Sequence, residues 1–202
     1  VYPTPGASML TFDLLNNPRE FTLPIYHGYY FRGRMDWEFN IRPKVFRALQ
    51  MANVPHSFNI MQNSYMFPAE CGLGPYSKEG LQENMQRFEQ EMLNWSFSLC
   101  PRAGSHYTQR FYESCALGRM PIVFGDNLWL DHEHAPMFRI AWDWDEKAIS
   151  EVLRGILMGH PIQSANNFGQ RAKAYFENHV RPYFEDPTRQ FIIWAREQKI
   201  ID

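Results

Sequence analysis

The chain has 202 residues, 45% of them hydrophobic and 21% charged, with a formal net charge of −2. That length holds one domain with a full core, and the composition is that of an ordinary globular protein rather than a disordered one. The absence of a long basic block argues against nonspecific nucleic-acid binding, which needs a dense cationic face.

Aromatic residues make up 16% of the chain, so a bulky, well-fixed core is expected. The three cysteines, Cys71, Cys100 and Cys115, are odd in number and lack CxxC spacing. This argues against a disulfide framework and a thiolate metal site, and favours a reducing, cytoplasmic setting. Neither a membrane span, which needs roughly 18 apolar residues, nor a signal peptide is expected.

Residues 1–23 read as an irregular lead-in, with Pro3, Pro5, Gly6 and the turn-prone Asn16-Asn17-Pro18. Ile25 to Phe31 is rich in aromatic and β-branched residues, ends near Gly33 and reads as a strand. A helix follows over Arg42 to Leu49, with Pro43 suited to its first helical position and Val45, Phe46 and Leu49 on one face. Val54 to Ile60 reads as a second strand, and residues 63–78 as a long loop whose Ser77 caps a helix over Lys78 to Asn94. Phe97 to Cys100 is a short strand, Tyr107 to Leu117 a helix stopped by Gly118, and Pro121 to Phe124 a buried strand. Phe138 to Trp142 is read as the last strand, before a helix over Asp145 to Met158. Two further helices, over about 164–180 and 186–199, form a helical tail.

Alternation of this kind predicts a single α/β domain over 1–202, with a Rossmann-like, mainly parallel sheet and helices on both faces. The segment from Phe97 to Asp126 carries the chemistry. A strand ends at Cys100, and a loop with Gly104 and Ser105 leads into a helix that carries Thr108, Arg110 and Glu113. Free N–H groups and the positive dipole end at a helix start make an anion site, and Gly104 lets a phosphate approach the backbone. Arg110 and Glu113, three apart, share a helix face. An arginine clamps phosphate oxygens in bidentate fashion, and a carboxylate one turn on accepts ribose hydroxyls. On such a helix Glu113 is expected to be half exposed. In open α/β sheets ligands bind beyond the carboxyl ends of the strands, where this loop falls.

This segment resembles the signature of exostosin-like glycosyltransferases, roughly Phe-x-Leu-x-Pro-x-Gly, then Ser/Thr-x-Arg-x-x-Glu-Ala, then Gly-Cys-x-Pro-Val. Leu99, Pro101, Gly104, Thr108, Arg110, Glu113, Gly118, Pro121 and Val123 fill those slots. Ile140 to Trp144 is similar to the family's short strand ending in Asp-Trp, and Phe31-Arg-Gly33 with Arg42-Pro-Lys to its phosphate-side strand and helix. The match covers about half the chain, most closely Phe97 to Asp126. Cys115 and Arg119 depart from the pattern, and Arg119 is expected close to the site.

The resemblance implies one lobe of a GT-B architecture, the C-terminal, donor-binding one, with a partner lobe N-terminal to it that supplies the general base. It implies transfer of a sugar from a nucleoside diphosphate to a glycan hydroxyl, with a nucleotide sugar and a glycan acceptor as partners and no cofactor. Glu113 matches the ribose-binding glutamate and Arg110 the donor-site arginine. Of Arg32, Arg34 and Arg42, the expected diphosphate contacts are Arg34 and Arg42.

Two other readings stay open on the sequence. One is a non-catalytic nucleotide-binding module without its partner lobe. The other is an unrelated α/β protein such as a small reductase, against which stands the lack of Gly-x-Gly-x-x-Gly after any predicted strand. Asp131-His132-Glu133-His134 lacks an apparent third ligand and is read as a polar loop, so no metal site is expected. Trp142 and Trp144 are expected in the core, His27 is read as structural, and Asp145 as a helix N-cap.

Overall fold

The computed structural model describes residues 9–34, 41–61, 78–101, 109–125, 135–182 and 186. Five strands form one sheet: β1 (Tyr26–Arg34), β2 (His56–Met61), β3 (Trp95–Pro101), β4 (Met120–Phe124) and β5 (Phe138–Ile140). Their order is β2-β1-β3-β4-β5, and every neighbouring pair is parallel. The expected pairing of the strands at 97–100 and 121–124 is present: Phe97 lies opposite Met120 and Cys100 opposite Val123, with helix α4 (Gln109–Ala116) crossing between them.

Side-chain alternation along each strand divides the interior into two cores. Tyr29, Phe31, Phe97, Leu99, Ile122 and Phe124 face one way and pack with Val45 and Leu49 of α2 (Arg42–Ala52) and Ile149 and Leu153 of α5 (Glu146–Gly159). Tyr30, Cys100 and Val123 face the other way. They pack with Leu10 and Leu14 of α1 (Met9–Asn16), Phe88 and Met92 of α3 (Lys78–Leu93), Phe111 and Cys115 of α4, and Tyr175 at the end of α6 (Ile162–Tyr175). A π-helical turn over Phe176–Val180 continues α6. The sheet is therefore covered on both faces, as a fully parallel sheet requires.

Several elements start and stop as their residues dictate. Gly118 adopts φ +66°, its N–H bonds Cys115 O at 2.9 Å, and Arg119 N–H bonds Ser114 O at 2.8 Å, the paired contacts of a Schellman motif. Asp145 caps α5 through Ala148 N–H at 2.7 Å. Pro43 sits in the first turn of α2, one residue beyond its start.

The lead-in is not wholly irregular. Met9–Asn16 is helical, and Leu10 and Leu14, four apart, are both buried where α1 packs on α4 and α3. The last strand stops at Ile140, so Trp142 and Trp144 stand in the following turn, 52% and 42% exposed rather than in the core. The helix expected over 186–199 and the cap expected at Ser77 lie outside the described residues. No described helix is long and apolar enough to cross a membrane.

Helices antiparallel to the strands put their carboxyl ends at the amino edge of the sheet, and cations collect there. Arg154 donates to Ala52 O (3.2 Å) at the end of α2. Arg119 donates to Leu93 O (2.9 Å) at the end of α3 and to Gly118 O (3.0 Å) just past α4. Lys173 donates to Ala116 O (3.2 Å) at the end of α4. Outside the strand-to-strand helices, Arg181 donates to Leu14 O (3.0 Å) and Leu15 O in the last turn of α1. Each of these cations meets terminal carbonyls and the negative end of a helix dipole.

Candidate functional site

Strand order reverses between β1 and β3: the chain leaves β1 for α2 on one face, and leaves β3 for α4 on the other. The crevice beyond the carboxyl ends of two such strands is where open α/β sheets take ligands. β1 ends there in Arg32, Gly33 and Arg34, and β3 in Pro101.

Three of the candidate residues belong to elements that end or begin at this crevice. Arg42 is the first residue of α2, and its side chain folds back over β1. A Cβ on Gly33 would meet Arg42 Cδ at 2.7 Å, so the bare glycine makes room for it. Arg110 is the second residue of α4, and Arg34 ends β1. Gly104, Ser105 and Thr108 lie outside the described residues, as does the Asp131–His134 cluster. Among the described residues no three His, Cys, Asp or Glu gather to hold a metal ion.

Glu113 is 2% exposed, not half exposed. The cause is packing: Phe111 to Ala116 are all buried, so α4 has no free face over that stretch. Arg110 Nη1 lies 3.6 Å from Glu113 Oε2, and it is buried without a hydrogen-bond partner among the described residues. The pair is thus close enough for charge attraction and too long for a good hydrogen bond. An anion arriving in the crevice would meet a guanidinium with donor capacity still unused.

Arg32 belongs to the same neighbourhood, though Arg34 and Arg42 were the expected contacts. Strand alternation turns Tyr30 and Arg32 toward α3 and α4, and Arg32 is 7% exposed. Its guanidinium lies over the ring of Phe88 at 4.7 Å, and that of Arg110 lies over the same ring at 4.1 Å. The signal was present in the period-two pattern of Tyr-Tyr-Phe-Arg, but the ring that receives Arg32 comes from α3, far off in sequence.

Arg119 is at the opposite edge, preceding β4 rather than following β3. It is 1% exposed, held by Leu93 O, Gly118 O and Thr22 Oγ1, and burial lowers its pKa to about 10. The expectation that it lies near the site is corrected: it is a helix-end clamp. His27 also lies toward that edge, in contact with Ser96 Oγ at 3.3 Å, in keeping with a structural role. A groove of about 770 Å³ runs along α5, lined by Trp144, Val152, Gly155, Ile156 and His160 among others; none of the candidate residues lines it.

Helix-end electrostatics sets the crevice apart. Neither α2 nor α4 carries an acid in its first turn, and they carry Arg42, Lys44 and Arg110 there instead. α5, which follows β5, shows the usual pattern with Asp145 and Glu146. A cation at the positive end of a helix dipole is unfavourable by about 0.3–1 kcal/mol. Both terms, dipole and side-chain charge, act in the same direction on an anion placed between these two helix starts.

No family model matches the sequence, and no curated protein matches it. Among solved structures, one titled "Crystal Structure of TarM" is similar to this chain, with a TM-score of 0.49 and 10% identity. The likeness covers 85% of this chain and 37% of that one, so the chain spans little more than a third of its length. So distant a likeness carries no weight on activity.

Proposed function

We propose that the chain is the donor-binding lobe of an exostosin-like glycosyltransferase of GT-B architecture. It holds a nucleoside diphosphate sugar at the carboxyl edge of the sheet and passes the sugar to a glycan hydroxyl. The observation that supports this best is the placement of Arg42 and Arg110 at the starts of two helices that flank the strand-order reversal. Such an arrangement costs stability when empty and favours a multiply charged anion when filled.

In this reading the arginines meet the diphosphate. As the bond to the sugar breaks, negative charge grows on the leaving oxygen, and guanidiniums already in place stabilise it without reorganising. Arg110 and Arg42 serve the diphosphate together with Arg34, and the loop with Gly104, Ser105 and Thr108 supplies backbone and hydroxyl donors. Glu113 takes the ribose hydroxyls and keeps Arg110 oriented. The acceptor and its general base belong to the partner lobe that the resemblance to the family implies.

A thermal-shift and calorimetric panel of nucleoside diphosphates and their sugars tests the proposal. A ligand at a hundredfold excess over its dissociation constant stabilises the native state by about 2.7 kcal/mol. At least one member should do so, with affinity falling as salt rises. A panel in which no ligand raises the melting temperature or gives a binding isotherm ends the reading.

A further inference from the structure

The geometry points to Phe88 as a positioning residue that holds Arg32 and Arg110 together as a two-guanidinium clamp for the donor's diphosphate; this rests on the donor-site reading above.

Phe88 lies in the second half of α3, is 7% exposed, and packs its ring 6.1 Å from that of Tyr30. Arg32 arrives from β1 and Arg110 from α4, and both guanidinium carbons stand within 5 Å of the one ring's centroid. A ring face attracts a guanidinium, most strongly where water is excluded. Two long cationic side chains brought near each other repel, and ordering them costs conformational entropy. A shared ring offsets both costs in advance.

Three carboxylates of this neighbourhood have partners among the described residues. Glu113 faces Arg110 at 3.6 Å. Glu91 is engaged by the Tyr30 hydroxyl (3.3 Å) and by Arg87 (3.2 Å), and Glu89 by Arg19 (2.7 Å). Two planar forks at one ring suit a ligand with two adjacent anionic groups, each taken in bidentate fashion, which is the chemistry of a diphosphate.

The test titrates the full chain with inorganic pyrophosphate and with the nucleoside diphosphate that binds best. Phe88→Leu and Phe88→Met keep an apolar side chain and remove the ring. Each should weaken pyrophosphate binding about tenfold, while Phe88→Tyr, which keeps the ring, stays within about twofold of the parent. Arg32→Lys keeps the charge but not the planar fork and should also lose about tenfold, which covers the case in which a Phe88 variant fails to fold. A merely structural ring would not give rescue by tyrosine together with loss by Arg32→Lys. Parent-like binding in Phe88→Leu, Phe88→Met and Arg32→Lys overturns the clamp while leaving the donor site standing. A parent chain that binds neither pyrophosphate nor any nucleoside diphosphate overturns the donor-site reading and the clamp with it.

Discussion

At the amino edge of the sheet, Arg119, Lys173 and Arg154 donate to the last carbonyls of three helices. At the carboxyl edge, Arg42, Lys44 and Arg110 stand at the first turns of two helices, where the dipole opposes them. The same residue types thus serve opposite ends of the same kind of element. At the carboxyl edge Lys44 also meets a carbonyl, Trp142 O at 3.2 Å, whereas Arg110 Nη1 is buried without a hydrogen-bond partner among the described residues, and the donor-site reading gives it one.

The sharpest way to break this comparison is to exchange its two sides. Arg119→Met removes a buried cation and strands the carbonyls of Leu93 and Gly118. It should cost about 3 kcal/mol, or a fall of roughly 6–12 °C in Tm, with nucleotide affinity unchanged in the variant at temperatures where it is folded. A variant as stable as the parent, or one that loses affinity, removes the distinction between the edges.

Glu113 tests the boundary between the two roles. Because it is buried beside Arg110, Glu113→Ala should lose about 2–3 kcal/mol as well as binding. Glu113→Gln keeps the volume and most of the stability, yet still loses about tenfold in nucleoside diphosphate affinity by calorimetry. Equal affinity in the Gln variant for every ligand makes Glu113 a structural partner of Arg110 alone.

The thiols between the edges supply a pH control. Burial pushes Cys100 up from 9.0 to about 11, and Cys115 well above its usual range. From pH 9 upward the unfolded chain loses thiol protons that the native state retains. Stability should therefore fall through the window from pH 9 to 11, by up to about 1.4 kcal/mol per unit for each thiol. Denaturant titrations at pH 8 and 10 check this, and Cys100→Ala should flatten the slope; a slope unchanged by the substitution rejects the assignment.

At the carboxyl edge the expected signs invert. Arg42→Glu places an acid at the start of α2 and should gain about 0.5 kcal/mol of stability while abolishing diphosphate binding. A loss of stability instead would show that Arg42 serves the fold. Gly33→Ala, the mildest change, pushes Arg42 off β1 and should weaken binding by about threefold, or ~0.7 kcal/mol, with little change in Tm. No change in affinity would place Arg42 outside the site.

The sheet was legible because its strands are short apolar runs separated by turn and helix signals, and each run became a strand within a few residues. Gly118 and Asp145 were legible for the same reason: local geometry at helix ends depends on the residue at that position. Tertiary contacts were not. Leu10 and Leu14 form a helix because α4 and α3 receive them. Glu113 is buried because the stretch of α4 from Phe111 to Ala116 packs into the interior, which a glutamate's own polarity argues against. Arg119 falls within the signature in sequence but lies at the other end of a strand from the crevice. Trp142 and Trp144 stay exposed because the strand ends two residues before the first of them.

The contact between Gly118 and Gly169 has a consequence for how this fold can vary. A Cβ on Gly169 would stand 2.3 Å from Gly118 O, and Gly118 itself holds φ +66°. A side chain at either position strains the backbone or drives α6 off the end of α4. The two glycines therefore form a covariation trap: drift at one cannot be rescued by enlarging the other. Chains that descend from this one and have lost Arg110 or Glu113 should still carry both glycines, so the pair can mark the fold's lineage after the binding chemistry has gone.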